Sequence, residues 1–498
     1  MSNIRVNYSG LIAFLFSMIS VGTGMIFVVI VTRKLTQEEF GLWALIGTMV
    51  SYIAIIQPII SYWTIREIAR GEKVGKTSVL TASSFSLVGF TIFSILALSV
   101  SSSLGLNYEI FILAATLVPL TFINNSLTSI SLGHKPQIAS YGLITFELAK
   151  LPLGFLLVYQ LEMGIVGALI TIIISHSPRI VLQAFLLKDK LIGRINILAI
   201  KFWLKMSWLT LYQNVSAFIQ RLDILLFSLT MMSVSGLAFW SASLTIAILV
   251  NHAGQLSQAL YAKILSEGQT KIIEENFKRT LFFAIPILGV SIVFAKTGLN
   301  VLNPLYIDSI YIVYFLSIAV FCNMIRSVCY KVLRGFETVD IDKKASFRQY
   351  VKSNLFLIPT LNIIYSVSYV GGLAIFLLLI KTTEMTDLFV VTIWSIIMMI
   401  ISIPFMIYSL FLVYKKYGIT LKIKYILKYA VLTLFSSIVL HYLITNYMTY
   451  HESIWNFIPE FLPYIALGSA LYFGILYLID KDTRIFYKSI IHEFKKKM

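Results

Sequence analysis

About fourteen apolar runs divide this chain, and each is long enough to cross a lipid bilayer as an α-helix. A helix needs roughly 20 apolar residues to span the hydrocarbon core. Charged residues make up only 13% of the chain, well below the level of a soluble domain. We therefore expect an all-α polytopic membrane protein, and not a soluble enzyme, a nucleic-acid-binding domain or a disordered scaffold. The runs lie at 9–31, 41–63, 77–100, 109–132, 136–160, 163–187, 205–229, 236–261, 280–301, 307–330, 354–380, 387–413, 427–446 and 459–479.

Lysine and arginine are distributed very unevenly between the two sides of these spans. If the N-terminus is cytoplasmic, the inside segments hold 32 of the 40 basic residues and the outside loops hold 3, with the remaining 5 inside spans. Cytoplasmic loops of membrane proteins collect Lys and Arg. The net charge of +17 is therefore a topology signal, which places both termini in the cytoplasm of a multi-pass cell-membrane protein and predicts no nucleic-acid partner.

Motifs for nucleotide or metal chemistry are missing from the sequence. It has no P-loop, no dinucleotide-binding fingerprint and no cluster of Cys and His at metal-ligand spacing. Cys322 and Cys329 are seven residues apart in one apolar run, which is too far for a disulfide along a helix. We expect neither a metal nor a resident cofactor, and a single-chain ATP-driven pump is excluded.

Two weak internal similarities suggest a repeat. Gly41 and Gly236 follow the first and seventh spans and are 195 residues apart, and Gly133 and Gly335 end the fourth and tenth spans, 202 apart. Similar offsets predict two six-span lobes of the same orientation. The predicted division is therefore 1–190 for spans 1–6, 191–416 for spans 7–12, and 417–498 for two extra C-terminal spans and a cytoplasmic tail.

Ionisable residues inside spans are costly and usually face a wet interior. Glu147 and Lys150 lie three residues apart in span 5 and so share a helix face. They either neutralise each other as a structural pair or line a cavity in which a cation or proton competes for Glu147.

Ionisable residues in other predicted spans include Arg179 in span 6, Arg221 and Asp223 in span 7, and Arg326 in span 10. For the arginines near span ends, snorkelling to lipid headgroups is an alternative. Together with Lys150, the arginines form a set of four candidate substrate-binding cations in a cationic cavity. Such a cavity suits an anionic head such as a phosphate or pyrophosphate.

Polar residues at helical spacing predict a hydrated helix face on each of three spans. The candidates for a polar cavity lining are Asn124, Asn214, Asn251 and His252. A hydrogen bond between helices explains each of them about as well as a substrate contact.

Several different short motifs are distributed along nearly the whole chain. They are Thr32-Arg33-Lys34-Leu35-Thr36-Gln37-Glu38-Glu39-Phe40-Gly41-Leu42-Trp43, Gly164-Ile165-Val166-Gly167-Ala168, Arg221-Leu222-Asp223 followed by Gly236-Leu237, and Asn303-Pro304-Leu305-Tyr306. Together they resemble the polysaccharide-biosynthesis family of O-antigen and oligosaccharide-lipid flippases, in the multidrug/oligosaccharidyl-lipid/polysaccharide (MOP) superfamily. The chain departs from the family pattern in having Thr36-Gln37 where Gly-Pro is usual, and Arg-Leu-Asp where an Asp-Arg order is commoner.

The resemblance implies two six-helix lobes around a cavity that opens alternately to each side, with spans 13 and 14 forming a lipid-facing groove. The implied cargo is a polyprenyl- or dolichyl-(pyro)phosphate-linked oligosaccharide, moved from the cytoplasmic to the outer leaflet for cell-surface polysaccharide or glycoprotein glycan assembly. Membrane lipids and glycan-assembly enzymes are the implied partners. A coupling ion, H⁺ or Na⁺, is common in the superfamily, and Glu147 and Asp223 are the candidate carriers.

Three other functions compete with this hypothesis. A multidrug-type exporter of the same superfamily usually has twelve spans and more acids than cations in its cavity. A membrane glycosyltransferase or polymerase needs a large outside loop or a soluble domain, whereas Glu38 and Glu39 are the only paired outside acids here. A non-catalytic scaffold for glycan assembly stays open. The expected function is transport, not catalysis.

Overall fold

The computed structural model describes residues 20, 22–257, 270–337, 347–380, 385–419, 423–451, 453–480 and 483–484. All regular structure within them is helical, and these residues contain no β-strand. Twelve of the described helices are long and apolar enough to cross a membrane, and each coincides with one predicted run. The prediction of an all-α polytopic membrane protein is therefore confirmed.

The other two predicted runs differ from these twelve. The run at 9–31 lies mostly outside the described residues, although residues 22–34 are helical. The run at 205–229 is interrupted at Arg221, between helices Ser207–Gln220 and Leu222–Met231. This stretch contains neither Pro nor Gly, so the usual sequence signals of a helix break are missing.

The helices, in chain order, are α1 (22–34), α2 (Gln37–Ile53), α3 (Pro58–Ala69), α4 (Gly75–Leu104), α5 (Tyr108–Ala115), α6 (Leu117–His134), α7 (Gln137–Gly154), α8 (Gly164–Leu186), α9 (Lys188–Leu191), α10 (Ile197–Lys205), α11 (Ser207–Gln220), α12 (Leu222–Met231), α13 (Ser235–Ala247), α14 (Thr270–Val293), α15 (Ala295–Leu302), α16 (Ile310–Gly335), α17 (Phe347–Val351), α18 (Asn354–Ile380), α19 (Asp387–Tyr417), α20 (Ile423–Tyr447) and α21 (Ile454–Ile479). A π-helical turn, Phe155–Gln160, extends α7, and 3₁₀ segments follow α2, α13 and α15.

The chain packs as two compact units. Unit 1 comprises Met1–Ser241 with Pro359–Val390, where α6, α7 and α8 pack on one another and α6 also packs on α3 and α4. Unit 2 comprises Ala242–Ile358 with Val391–Met498, where α14 packs against the 3₁₀ segment Ile248–Ser257, α16 and α20. The division of the chain at residues 190 and 416 stays a prediction.

Residues 32–43, the first of the short motifs, contain the residues that cap two helices. Thr36 is the N-cap of α2, and its hydroxyl accepts a hydrogen bond from the Glu39 N–H at 3.2 Å. Glu39 Oε2 accepts the Thr36 N–H at 2.9 Å, which completes a capping box. Its other oxygen, Oε1, accepts the N–H of Ile165 in the first turn of α8 at 3.1 Å. One carboxylate therefore satisfies the N-termini of two helices that are distant in sequence.

The same motif brings α2 against the start of α13. A side chain at Gly41 would collide with the main-chain carbonyl of Val234, so only glycine fits there. Gln37 Nε2 lies 3.5 Å from the carbonyl oxygen of Ser235. The segments containing Gly41 and Gly236, which the sequence analysis paired as repeats, thus contact each other.

Replacing Glu39 with alanine is expected to destabilise unit 1. The change removes acceptors from two helix N-termini, each worth about 0.5–2 kcal/mol. We expect a lower melting temperature of the detergent-solubilised protein, measured by size-exclusion chromatography after heating. Glu38→Ala is the matched control because Glu38 is the exposed neighbour in the same turn. Equal melting of both variants would contradict the double-capping role.

Candidate functional site

Glu147 and Lys150 form a buried ion pair on α7 in unit 1. Lys150 Nζ lies 2.6 Å from Glu147 Oε2, and the two residues are 6% and 4% exposed. Thr23 donates its hydroxyl to Glu147 Oε2 at 2.8 Å, and Ser20 donates to Oε1 at 3.1 Å. The carboxylate therefore neutralises a cation on α7 and also holds two hydroxyls from the first predicted span.

The Lys150 ammonium is also enclosed by aromatic rings. Its Nζ lies 5.3 Å from the ring centroid of Phe27 and 5.2 Å from that of Phe146. Both distances fit cation–π contacts. Phe146 in turn packs on His176 of α8, with ring centroids 4.9 Å apart. Lys150 is thus surrounded by one carboxylate and two rings.

His176 and Arg179 of α8 connect this polar region to α6 through side-chain hydrogen bonds. His176 Nδ1 is hydrogen-bonded to the buried side-chain amide of Asn124. Arg179 Nη2 donates to Thr128 Oγ1 at 3.2 Å. Neither Arg179 Nε nor Asn124 Oδ1, both buried, has a hydrogen-bond partner among the described residues. One donor and one acceptor on neighbouring helices are therefore left for a further group.

We call this group, made by Asn124, Glu147, Lys150, His176 and Arg179, the α6–α8 polar group. Glu147 is near enough to Arg179 to act on it electrostatically. Two side chains that carry a positive charge and one carboxylate leave a net positive charge in an apolar surrounding. Such a place favours an anion that accepts charge-assisted hydrogen bonds, and a guanidinium suits phosphate oxygens in particular.

Arg221 and Asp223 lie in unit 1 at the break between α11 and α12. Asp223 Oδ2 accepts the hydroxyl of Tyr369 from α18 at 2.7 Å, and Asp223 Oδ1 accepts the N–H of Ile224 at 2.7 Å. Asp223 therefore has hydrogen-bond partners other than Arg221, and a carboxylate in the first turn of α12 also suits the helix dipole. Arg221 is exposed at the break.

The remaining predicted site residues, three for the polar lining and the candidate substrate-binding cation Arg326, lie outside the α6–α8 polar group. Asn214, on α11 of unit 1, donates its side-chain amide to the Thr210 carbonyl one turn earlier in its own helix, at 2.7 Å. Arg326 is buried in α16 of unit 2. Asn251 and His252 are exposed in the 3₁₀ segment of that unit, which packs against α16.

Sequence reasoning found the ion pair but missed much of its surroundings. Phe27 and Phe146 are apolar, and Thr128 is one of many hydroxyl residues in the spans, so the sequence does not distinguish them from their neighbours. Thr23 stands between two glycines in a stretch that suggests only close helix packing. Among the described residues, no group of three or more His, Cys, Asp or Glu is placed to hold a metal ion.

Solved structures with a similar fold include a lipid flippase and multidrug transporters. The lipid II flippase MurJ, in an inward closed conformation, is similar over 97% of this chain and 100% of its own, with a TM-score of 0.66 and 15% identity. An inward-facing multidrug resistance transporter of the MATE family, in the MOP superfamily, is similar over 80% of this chain and 97% of its own, with a TM-score of 0.57 and 16% identity. MATE in complex with MaD5 covers 82% of this chain and 97% of its own, with a TM-score of 0.54 and 13% identity.

No protein-family model and no curated protein matches the chain in sequence. The structural similarity confirms at the level of fold the MOP-superfamily resemblance that the short motifs predict. The protein is accordingly a multi-pass membrane protein whose fold is shared by MATE transporters and by the lipid II flippase MurJ.

Proposed function

We propose that this chain, whose fold is shared by a lipid II flippase and by MATE transporters, flips a polyprenyl- or dolichyl-(pyro)phosphate-linked oligosaccharide. The cargo moves from the cytoplasmic to the outer leaflet by alternating access, and both termini are cytoplasmic. The product serves cell-surface polysaccharide or glycoprotein glycan assembly, so enzymes of glycan assembly are the proposed partners.

The buried, unpaired Nε–H of Arg179 is the observation that carries this proposal. It belongs to a polar group of net positive charge, in which Lys150 is already paired with Glu147. A phosphate oxygen bound to the guanidinium would supply the missing acceptor. We infer that Arg179 contacts the (pyro)phosphate of the cargo, with Asn124 and Thr128 beside it. Lys150, Arg221 and Arg326 remain candidate contacts.

Coupling to H⁺ or Na⁺ is assigned to Glu147, with Asp223 as a second candidate. Protonation of Glu147 would remove the ion pair with Lys150 and turn an acceptor oxygen into a donor. The hydrogen bonds from Ser20 and Thr23 would weaken with it. A proton bound at Glu147 would therefore loosen the first span from α7, which is the kind of local change that alternating access needs.

A multidrug exporter is the second candidate, because the fold is also that of MATE transporters. The charge of the α6–α8 polar group distinguishes the two functions. A net positive interior repels a cationic drug and attracts an anionic head. The flippase is therefore the proposal that fits the charges better.

Leaflet accessibility of lipid-linked oligosaccharide in cells tests the proposed function. Cells that lack the protein should accumulate the lipid-linked glycan facing the cytoplasm, and restoring the protein should move it outward. A glycan-lipid that never forms without the protein would favour an enzyme or scaffold. One that crosses normally would contradict the flippase.

Gly41→Ala is expected to impair transport without unfolding the protein. The added methyl group collides with the Val234 carbonyl and separates α2 from α13. If these ends close and open during transport, the closed contact is lost and turnover falls at least tenfold, an effect of about 1.4 kcal/mol. Flipping by reconstituted protein measures it. Gly47→Ala is the matched control on α2, because nothing lies within 4 Å of its added Cβ. Normal transport by Gly41→Ala would show that this close contact between α2 and α13 is not needed for transport.

A further inference from the structure

Gln183 on α8 is a fully buried residue whose amide has no hydrogen bond within the fold. The residue is 0% exposed, and neither its amide oxygen nor its amide nitrogen has a hydrogen-bond partner among the described residues. Buried polar groups are nearly always hydrogen-bonded, and an amide can both donate and accept. This position therefore indicates a ligand that both donates to Gln183 and accepts from it.

Gln183 extends the α6–α8 polar group along α8. His176, Arg179 and Gln183 follow one another at spacings of three and four residues, so they lie on the same face of the helix. At 1.5 Å per residue, this polar face extends about 10 Å along α8. The amide of Gln183 and the Nε–H of Arg179 are therefore two unused hydrogen-bonding sites, one helical turn apart in unit 1.

Gly142 on α7 leaves the space that the Gln183 amide occupies. A Cβ added at Gly142 would lie 2.5 Å from Gln183 Nε2 and 2.7 Å from Gln183 Cδ. Both distances are well below the ordinary separation of atoms in contact. The amide is thus placed by packing against a glycine, and not by hydrogen bonds to the described residues.

We propose that Gln183 binds hydroxyl groups of the first sugar of the cargo, next to the phosphate held by Arg179. This inference rests on the proposed function. An ionised phosphate oxygen only accepts hydrogen bonds, so it would leave the amide oxygen of Gln183 unpaired. A sugar hydroxyl donates and accepts, and two neighbouring hydroxyls satisfy both groups of one amide. Gln183 is therefore the residue that distinguishes a glycan-bearing lipid from a lipid (pyro)phosphate without a sugar.

The order of the two residues along α8 fits a lipid of the cytoplasmic leaflet. In the proposed orientation, α8 ends at the cytoplasmic surface, and Gln183 lies about 6 Å nearer to that end than Arg179. The tail of such a lipid lies in the hydrocarbon core, the phosphate follows, and the sugar extends furthest toward the cytoplasm. The guanidinium therefore lies at the depth of the phosphate, and the amide lies on the side of the sugar.

Binding of two lipids by the purified full-length protein tests this contact. One probe is a polyprenyl pyrophosphate that carries one monosaccharide. The other is the methyl ester of the same polyprenyl pyrophosphate, which has the same charge but no hydroxyl, and native mass spectrometry measures the affinity for each. We expect the wild type to prefer the sugar-bearing lipid about tenfold, the contribution of two hydrogen bonds. Gln183→Leu should abolish that preference, and Gly142→Ala, which displaces the amide, should reduce it. Arg179→Gln should weaken the binding of both lipids by the same factor.

Gln160→Leu is the matched control, because Gln160 is an exposed glutamine in the π-helical turn that extends α7. It should keep the preference for the sugar-bearing lipid. Removing a buried amide that has no partner should leave the melting temperature of Gln183→Leu unchanged or raise it. A lower melting temperature would show that the amide is paired inside the fold through buried water, and would overturn the proposal.

Two binding results would also overturn the sugar contact: equal affinity of the wild type for the two lipids, or a sugar preference retained by folded Gln183→Leu. Either result would leave the proposed function standing if both lipids still bind in a manner that depends on Arg179. Binding of neither lipid by the wild type would overturn the proposed function together with the sugar contact.

Discussion

Arg179→Gln is expected to lower the rate of glycan-lipid translocation by about 30-fold or more. Removing one partner of a buried charged contact costs 2–5 kcal/mol, and the lower figure corresponds to that factor. The change takes away the guanidinium that the proposal places on the (pyro)phosphate. Arg179→Lys keeps the charge but loses the fork of donors, so we expect an intermediate rate. Flipping of a fluorescent lipid-linked oligosaccharide by reconstituted protein measures all three.

The stability of the same variant separates a binding role from a structural one. Arg179 contributes a buried donor without a partner in the described structure and adds to a net positive charge. Its removal should therefore leave the melting temperature unchanged or raise it, as often occurs when a functional residue is replaced. Arg70→Gln, at an exposed position after α3, is the control for loss of an arginine. Full translocation by Arg179→Gln, or its loss through unfolding, would contradict the assignment.

A double-mutant cycle on Glu147 and Lys150 should separate their structural and coupling roles. Lys150→Met leaves a buried carboxylate without its cation, and Glu147→Gln leaves a buried cation without its carboxylate. Each single change should cost about 3–5 kcal/mol of stability. The double variant should recover most of it, because replacing both members of a buried pair is often nearly neutral. Thermal unfolding of the detergent-solubilised protein measures these differences.

The double variant, once its stability is restored, then tests the coupling proposal through the dependence of its translocation rate on an ion gradient. With Glu147 replaced, an imposed proton or sodium gradient should no longer accelerate translocation, although the protein is folded. The wild type under the same gradients is the reference. A gradient response in the double variant equal to that of the wild type would remove Glu147 as the ion carrier. Single variants that are as stable as the wild type would show that the ion pair does not stabilise the fold.

The helical architecture could be predicted because it depends on local properties. Length and hydropathy decide whether a segment crosses a bilayer, and both can be counted along the sequence. Likewise, Glu147 and Lys150 are predicted to meet because a three-residue spacing places them on one helix face. Twelve predicted runs coincide with membrane-length helices, and the pair is formed.

The surroundings of that pair could not be predicted because they depend on tertiary packing. Thr23 and Glu147 are 124 residues apart, and Asn124 and His176 are 52 apart. No periodicity links such positions. The helix break at Arg221 could not be predicted either, because neither proline nor glycine lies in that stretch. A helix also breaks where a side chain or a water molecule enters its hydrogen-bond ladder, and a single sequence does not reveal such positions.

The family-like motifs illustrate a different limit. Short signatures suggest a functional site, yet Glu39 caps two helices and Gly41 allows a close main-chain approach. Thr36, which departs from the usual glycine, provides the N-cap hydroxyl of α2. The motifs therefore identify the fold, while the charges of the α6–α8 polar group carry the functional argument.

The most direct test of the account is translocation of a lipid-linked oligosaccharide by the purified protein. Liposomes containing a polyprenyl-pyrophosphate-linked glycan are treated with a membrane-impermeant glycosidase, with and without the reconstituted chain. The account predicts that the protein exposes the protected inner-leaflet fraction to the enzyme, and that Arg179→Gln does so far more slowly. A protected fraction that stays at its protein-free level with the wild type would contradict it.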